Sequence, residues 1–263
     1  MENLKNKTII ITGASSGIGE KIAMKVANIG ARPILVARSK EKLKAISNKI
    51  NQQTAVDSLY YPLDISDRKQ VKIVFAQILK EIGQVDILLN NAGFAIFDSF
   101  AEADLEDIEK MFQVNVLGLM ACTKEVLPSM LERNSGHIIN IASQAGKLAT
   151  PKSSGYAATK HAVLGFTNSL RMELAKTNIS VSSVNPGPIE TTFFDIADKS
   201  GNYVKNVKKY MLQPENVAEK IVQLMIHPKR ELNLPRWMNM GSVLYNLFPN
   251  IADRFVGNIL NKK

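Results

Sequence analysis

Short apolar runs alternate with longer amphipathic stretches along almost the whole chain, with no low-complexity insert, internal repeat or Ser/Gly/Pro-rich linker between them. The apolar runs predict strands at 8–12, 33–37, 59–63, 85–90, 137–142, 180–185 and 231–234, and the 3.6-residue periodicity between them predicts helices near 17–29, 40–51, 67–82, 104–132, 154–176 and 214–227. Runs such as Ile87-Leu88-Leu89 and Ile138-Ile139-Asn140-Ile141 are apolar on both faces of a strand. That is the pattern of parallel strands covered by helices on either side. Right-handed crossovers then make one α/β domain built on an open, doubly wound parallel sheet. Ligands bind such sheets beyond the carboxyl ends of the strands, which directs attention to the residues that follow each strand.

Composition narrows the classes without changing that picture. A chain of 263 residues with 45% hydrophobic and 22% charged positions buries a sizeable core without covalent help. Cys122 is the only cysteine, and His137, His161 and His227 show no paired-ligand spacing, so no metal site is expected. This usage fits a reducing cytosol, and the cytoplasm is the expected location. The N-terminal apolar run is too short for a signal peptide, and no apolar stretch has the length of a membrane-spanning helix. Net charge is +9, of which residues 199–263 contribute +7. A basic groove distributed along the chain is therefore not expected, and a nucleic-acid partner is not expected either.

Behind the first strand stands Thr12-Gly13-Ala14-Ser15-Ser16-Gly17-Ile18-Gly19, and then a helix. Three glycines at a strand-to-helix turn let the backbone close on a pyrophosphate while free N–H groups and the helix dipole point at it. At the end of the second strand an NAD site wants a carboxylate for the ribose 2′-hydroxyl, but the chain offers Ala37-Arg38-Ser39-Lys40. Arg38 can hold a 2′-phosphate through charge-assisted hydrogen bonds, with Ser39 and Ser15 as further donors. NADP(H) is the expected cofactor.

Tyr156-Ala157-Ala158-Thr159-Lys160 sets a phenol and an ammonium four residues apart on one helical face. The pair gains weight from Ser143 at the end of the fifth strand and from Asn115 in the preceding long helix. With Asn90-Asn91-Ala92-Gly93 after the fourth strand and Pro186-Gly187-Pro188-Ile189-Glu190-Thr191 after the sixth, these motifs resemble, in order, those of the short-chain dehydrogenase/reductase family over residues 7–235.

The resemblance implies a Rossmann-type fold and a hydride transfer between a ketone or aldehyde and its alcohol. Reduction leaves an alkoxide, so the site must supply a proton and polarise the oxygen. Tyr156 is the implied general acid and base, Ser143 the donor to the substrate oxygen, and Lys160 the charge that lowers the phenol's pKa and holds the nicotinamide ribose. Asn115 matches a fourth residue that supports a water-mediated proton path to Lys160. Asn91, Ala92 and Gly93 match a cofactor-lining turn, and Pro186, Gly187, Ile189 and Thr191 the loop that fixes the carboxamide. Asp64 and Ile65 match an adenine contact, the alternative being an N-cap role before the helix at Asp67. A homodimer or homotetramer, joined through helices 104–132 and 154–176, is a further implication.

Substrate choice in the family lies in the segment after Thr191. Here Phe193, Phe194, Tyr203 and Tyr210 alternate with Lys199, Lys205, Lys208 and Lys209, which suggests a lid with an apolar inner and a basic outer face. Ala95-Ile96-Phe97 and Gln144–Leu148 would form an equally apolar opposite wall, so an aliphatic, lipid-like or ring ketone is expected rather than a sugar. The chain runs on past the last strand, unlike ketoacyl-carrier-protein reductases, and is more similar to hydroxysteroid-dehydrogenase-related members. In this tail, 236–263, Leu244, Leu247, Phe248, Ile251, Phe255, Val256 and Ile259 recur at helical spacing, with a kink expected at Pro249. Three readings of this amphipathic extension stay open: packing on the parent domain or a dimer partner, a peripheral membrane contact, and a protein-partner site. The rival to the enzyme as a whole is a catalytically silent nucleotide-binding regulator on the same fold.

Overall fold

In the computed structural model, which describes residues 4–198 and 201–249, seven parallel strands form one sheet in the order β3-β2-β1-β4-β5-β6-β7. The strands are β1 Thr8–Thr12, β2 Arg32–Ala37, β3 Leu59–Pro62, β4 Ile87–Asn90, β5 Gly136–Ile141, β6 Ile179–Pro186 and β7 Glu231–Leu234. Chain order reverses between β1 and β4, which opens a crevice at their carboxyl ends.

Successive residues of each strand feed opposite cores, as a period of two demands. Ile9, Ile11, Leu35, Leu89 and Ile139 pack with α1 (Gly17–Asn28), α2 (Lys40–Gln53) and α9 (Pro214–Ile226). Ile10, Ile34, Leu88 and Ile138 pack with α3 (Arg68–Ile82), α5 (Leu119–Glu132) and α6 (Ser154–Glu173). Each isoleucine so buried contributes about 2 kcal/mol.

The expected single helix over 104–132 is interrupted. Helix α4 (Leu105–Phe112) passes into a π-helical turn, Gln113–Gly118, before α5 resumes. The wider turn directs Asn115 inward, where its side chain bonds the Phe94 backbone, and seats Gly118 against Ile65, whose carbonyl oxygen would lie 2.7 Å from a Cβ there.

Two short helices, α7 (Phe193–Ala197) and α8 (Asn202–Val207), occupy the segment expected to form the lid; Lys199 lies outside the described residues. Helix α10 (Arg236–Leu247) follows β7 and ends two residues before Pro249, while Ile251, Phe255, Val256 and Ile259 lie outside the described residues. Among the described residues no helix is long and apolar enough to cross a membrane.

Candidate active site

The crevice is the mouth of a cleft of about 970 Å³ running along the carboxyl ends of the strands. At its phosphate end the β1–α1 turn brings Gly13, Ser15, Ser16, Gly17 and Ile18 to the wall. Gly13 has φ +67°, and a Cβ on it would sit 2.8 Å from the Ala92 Cα; a Cβ on Gly19 would collide with the Gly13 carbonyl oxygen. Only glycine lets this turn lie so close to the β4 turn. Gly19 thus shapes the turn from behind and does not line the cleft.

Thr12, which sequence reasoning quoted without giving it a role, holds the two turns together. Its buried hydroxyl accepts the N–H groups of Asn91 (3.0 Å) and Ala92 (3.1 Å), and the Asn91 side-chain amide donates to the carbonyls of Thr12 (2.9 Å) and Gly13 (3.2 Å). The N-cap Ser16 makes no capping bond with its side chain, so the first turn of α1 keeps N–H donors aimed into the cleft. This collar, closed to any Cβ and rich in N–H donors, fits a dinucleotide pyrophosphate.

Arg38 and Ser39 line the same end, and among the described residues Arg38 has no ion-pair partner. Ser39 is the N-cap of α2 but makes no side-chain capping bond, leaving its hydroxyl available to a ligand. Lys42 lines the wall beside them, a residue that sequence reasoning missed. Once Ser39 is taken as the N-cap, position 42 falls in the first helical turn facing back toward the strand end, which is the signal that could have found it. Asp64 and Ile65 also reach the cleft. The cap of α3 is Asp67, whereas Asp64 accepts the N–H and hydroxyl of Ser66 at 3.0 and 2.7 Å.

At the other end Ser143, Tyr156 and Lys160 meet, all buried and all lining the cleft. The Ser143 Oγ accepts the Ala145 N–H (3.0 Å) and donates to the Pro186 carbonyl (3.4 Å). Lys160 Nζ donates to the Ile141 carbonyl (2.9 Å) and lies 5.6 Å from the centre of the Tyr156 ring. Burial pushes the Tyr156 phenol well above its ordinary pKa, opposed by a hydrogen bond with the Ser143 hydroxyl, and burial pulls the Lys160 ammonium down to about 8. Pro186, Gly187, Ile189 and Thr191 complete this wall, with Leu212 N–H bonded to the Pro188 carbonyl (2.8 Å) to hold the loop.

Asn115 does not line the cleft. Its Oδ1 accepts the Phe94 N–H (3.0 Å), and its Nδ2 donates to the Phe94 carbonyl (2.9 Å) and to Thr159 Oγ1 (3.2 Å). The side chain ties the loop after β4 to α6, behind the end of the cleft that holds Tyr156 and Lys160.

Beyond Tyr156 the walls are aromatic. Phe97 lies 5.8 Å from Tyr156 and 4.9 Å from Tyr203 between ring centres, and Phe193 lies 6.0 Å from Tyr156. The expected lid polarity holds for Phe193, Phe194 and Tyr203, which face the cleft, and for exposed Lys205, Lys208 and Lys209; Tyr210, expected inside, lines the mouth but is 56% exposed. On the opposite wall Phe97, Gln144, Ala145 and Leu148 line the cleft, but Ala95 and Ile96 do not. Lys147 turns away to bond Glu231 (2.5 Å), Asn233 (3.0 Å) and Asn239 (3.3 Å), which anchors α10 and sets Met238 into the cleft over Gly187. No sequence pattern pointed to Met238.

The short chain dehydrogenase family model matches residues 7–200. The chain belongs to the short chain dehydrogenase family. An uncharacterized oxidoreductase of Staphylococcus saprophyticus is 37% identical over 230 residues, covering 87% of this chain and 94% of the relative. An NADP-dependent 3-hydroxy acid dehydrogenase of Schizosaccharomyces pombe is 38% identical over 229 residues, covering 84% and 88% of the two chains. Among solved structures, the closed form of a serine dehydrogenase complexed with NADP+ superposes with a TM-score of 0.79 at 32% identity, covering 86% of this chain and 94% of that one. This short-chain dehydrogenase therefore has the Rossmann-like fold and the oxidoreductase character of its family, with NADP-binding neighbours.

Proposed function

We propose that this protein is an NADP(H)-dependent oxidoreductase that interconverts an apolar ketone or aldehyde with its alcohol. The observation that carries the reading is the meeting, in one cleft, of Ser143, Tyr156 and Lys160 with a glycine-built collar and an Arg38 that has no ion-pair partner among the described residues. The nicotinamide supplies or accepts the hydride when bound. Every remaining task falls to the chain.

Tyr156 donates the proton to the carbonyl oxygen in reduction and takes it back in oxidation. Its burial favours the neutral phenol, the form that donates. Ser143 Oγ turns its hydrogen from the long contact with the Pro186 carbonyl toward the substrate oxygen. Lys160 keeps donors beyond the one given to Ile141 for the ribose hydroxyls, and its charge stabilises the phenolate in oxidation. Asn115 acts by fixing Phe94 and α6, and thereby the mouth of any water path to Lys160. Arg38, Ser39, Ser15 and Lys42 would hold the 2′-phosphate, Asp64 and Ile65 the adenine, and the 186–191 loop the carboxamide.

The yeast relative acts on a hydroxy acid, yet the lysines and arginines lining this cleft are Arg38, Lys42 and Lys160, all at the phosphate or catalytic positions. A substrate carboxylate would find no counter-charge among Phe97, Leu148, Phe193, Phe194 and Met238, which favours an apolar carbonyl compound. A cytoplasmic homo-oligomer associated along α4–α6, where Leu131 and Met172 are exposed, completes the proposal.

The test is thermal unfolding with NADPH, NADH or neither, for the wild type and for Arg38→Asp, because a ligand that binds only the native state raises its stability. The expected result is a shift with NADPH, little with NADH, and a reversed preference in the variant. An unchanged preference in Arg38→Asp removes Arg38 from the site, and no shift with either nucleotide refutes the enzyme.

A further inference from the structure

Helix α10 turns a stripe of large apolar side chains to solvent. Its inward side carries Met238, Asn239, Ser242 and the half-buried Tyr245, whereas Trp237, Met240, Leu244 and Leu247 recur at intervals of three and four on the side turned to solvent, with Phe248 just past the helix end, each between 55% and 69% exposed. A helix in a protein of this kind turns its apolar stripe to the core and its polar residues outward. No charged residue occurs from Trp237 to Ala252.

The stripe is continuous with the mouth of the cleft. Trp237 lies edge-on to Tyr210, ring centres 6.1 Å apart, and the next residue, Met238, lines the cleft wall. Ile196 and Tyr210, both exposed by more than half, extend the apolar surface across the opening. Near this surface stand exposed Lys205, Lys208, Lys209 and Arg236, while Asp195 lines the cleft on the same side.

We infer that the outer face of α10 and the adjoining rim dock on an anionic lipid bilayer, with the cleft mouth against the lipid. The apolar stripe enters the interface and the surrounding cations meet the headgroups, the division of labour of an interfacial helix. Charge argues against a second copy of the chain: a twofold interface on this face would set exposed Lys205, Lys208, Lys209 and Arg236 against their own copies, with Asp195 as the opposing charge on the rim. An apolar carbonyl compound could then pass from the bilayer to Tyr156 along aromatic walls without crossing water. That consequence rests on the oxidoreductase reading; the docking does not.

Trp237 is the chain's only tryptophan and lies in the stripe, so intrinsic fluorescence reports directly on it. Full-length protein is titrated with phosphatidylcholine vesicles, with and without phosphatidylglycerol, and with brominated phosphatidylcholine as a depth quencher. The expected result is a blue shift and bromine quenching with anionic vesicles, both reduced by high salt. Met240→Glu/Leu244→Glu/Leu247→Glu keeps the reporter and should partition more than about tenfold more weakly. Because these side chains are exposed, its NADPH-dependent thermal shift should match the wild type, which separates failure of docking from failure of the nucleotide reading. Absence of shift and quenching with anionic vesicles, equal partitioning of the variant, or a blue shift that follows protein concentration without vesicles each overturns the inference.

Discussion

Thr12→Val tests whether the crevice between β1 and β4 is held by one hydroxyl. The substitution keeps shape and branching and removes the single oxygen that accepts the Asn91 and Ala92 N–H groups at 3.0 and 3.1 Å. Both donors belong to half-buried residues, so each orphaned group costs toward the lower end of the usual 1–3 kcal/mol range, and the pair about 2 kcal/mol. For a domain of this size that lowers the melting temperature by about 4–8 °C. Urea denaturation should show the same loss in midpoint with an unchanged slope, since the surface exposed on unfolding is unaffected. Thr12→Ser restores the acceptor and should recover most of the loss. NADPH affinity should fall in the valine variant as well, because the Gly13 turn depends on the same clamp. A Thr12→Val protein within about 0.5 kcal/mol of wild type would mean that water replaces the hydroxyl and that the glycine contacts alone hold the collar.

Further tests address chemistry and titration. Tyr156→Phe removes the proposed proton donor with little change in volume, so turnover with a reducible apolar ketone should fall by about two to four orders of magnitude while the NADPH-induced thermal shift persists; retained turnover would discard the mechanism. His137 is buried against Ser182 (2.8 Å), and burial lowers its pKa to about 4. The unfolded chain therefore binds the extra proton first, and the neutral form's advantage is complete above the unfolded value of about 6.5 and lost as pH falls toward 4. Between pH 7 and 5 this costs about 2 kcal/mol, measurable by urea denaturation and absent in His137→Asn; identical pH slopes for the two proteins would refute it. Cys122 is fully buried with its thiol pushed up to about 12 by burial, so a thiol reagent at pH 8 should label it only at the rate of unfolding, and labelling within seconds in the folded protein would contradict the packing.

Much of this site was legible before any coordinates. A strand-to-helix turn needs glycine wherever backbones must approach, which singled out Gly13 and Gly17, and Ser143, Tyr156 and Lys160, singled out together by their neighbours and by the family resemblance, line the same cleft. Arg38, singled out where an NAD site would want a carboxylate, lines the cleft as well. These are local signals: a motif, a strand end, one face of a helix. Strands apolar on both faces likewise predicted a sheet covered by helices on either side, because a half-exposed strand would alternate.

What the tertiary structure decided is whatever depends on partners far apart in sequence. The π-helical turn at Gln113–Gly118 exists beside Ile65 and the Phe94 backbone, so periodicity within 104–132 could not disclose it. The inward role of Asn115, the clamp of Thr12 on Asn91, and the anchoring of α10 by Lys147 through Glu231 and Asn239 join residues from 21 to 92 positions apart. The amphipathicity of α10 could be read from its sequence, but its direction could not. An apolar stripe normally faces the core, and only the seating of Met238, Asn239 and Ser242 against the domain turns Trp237 and Leu244 to the outside.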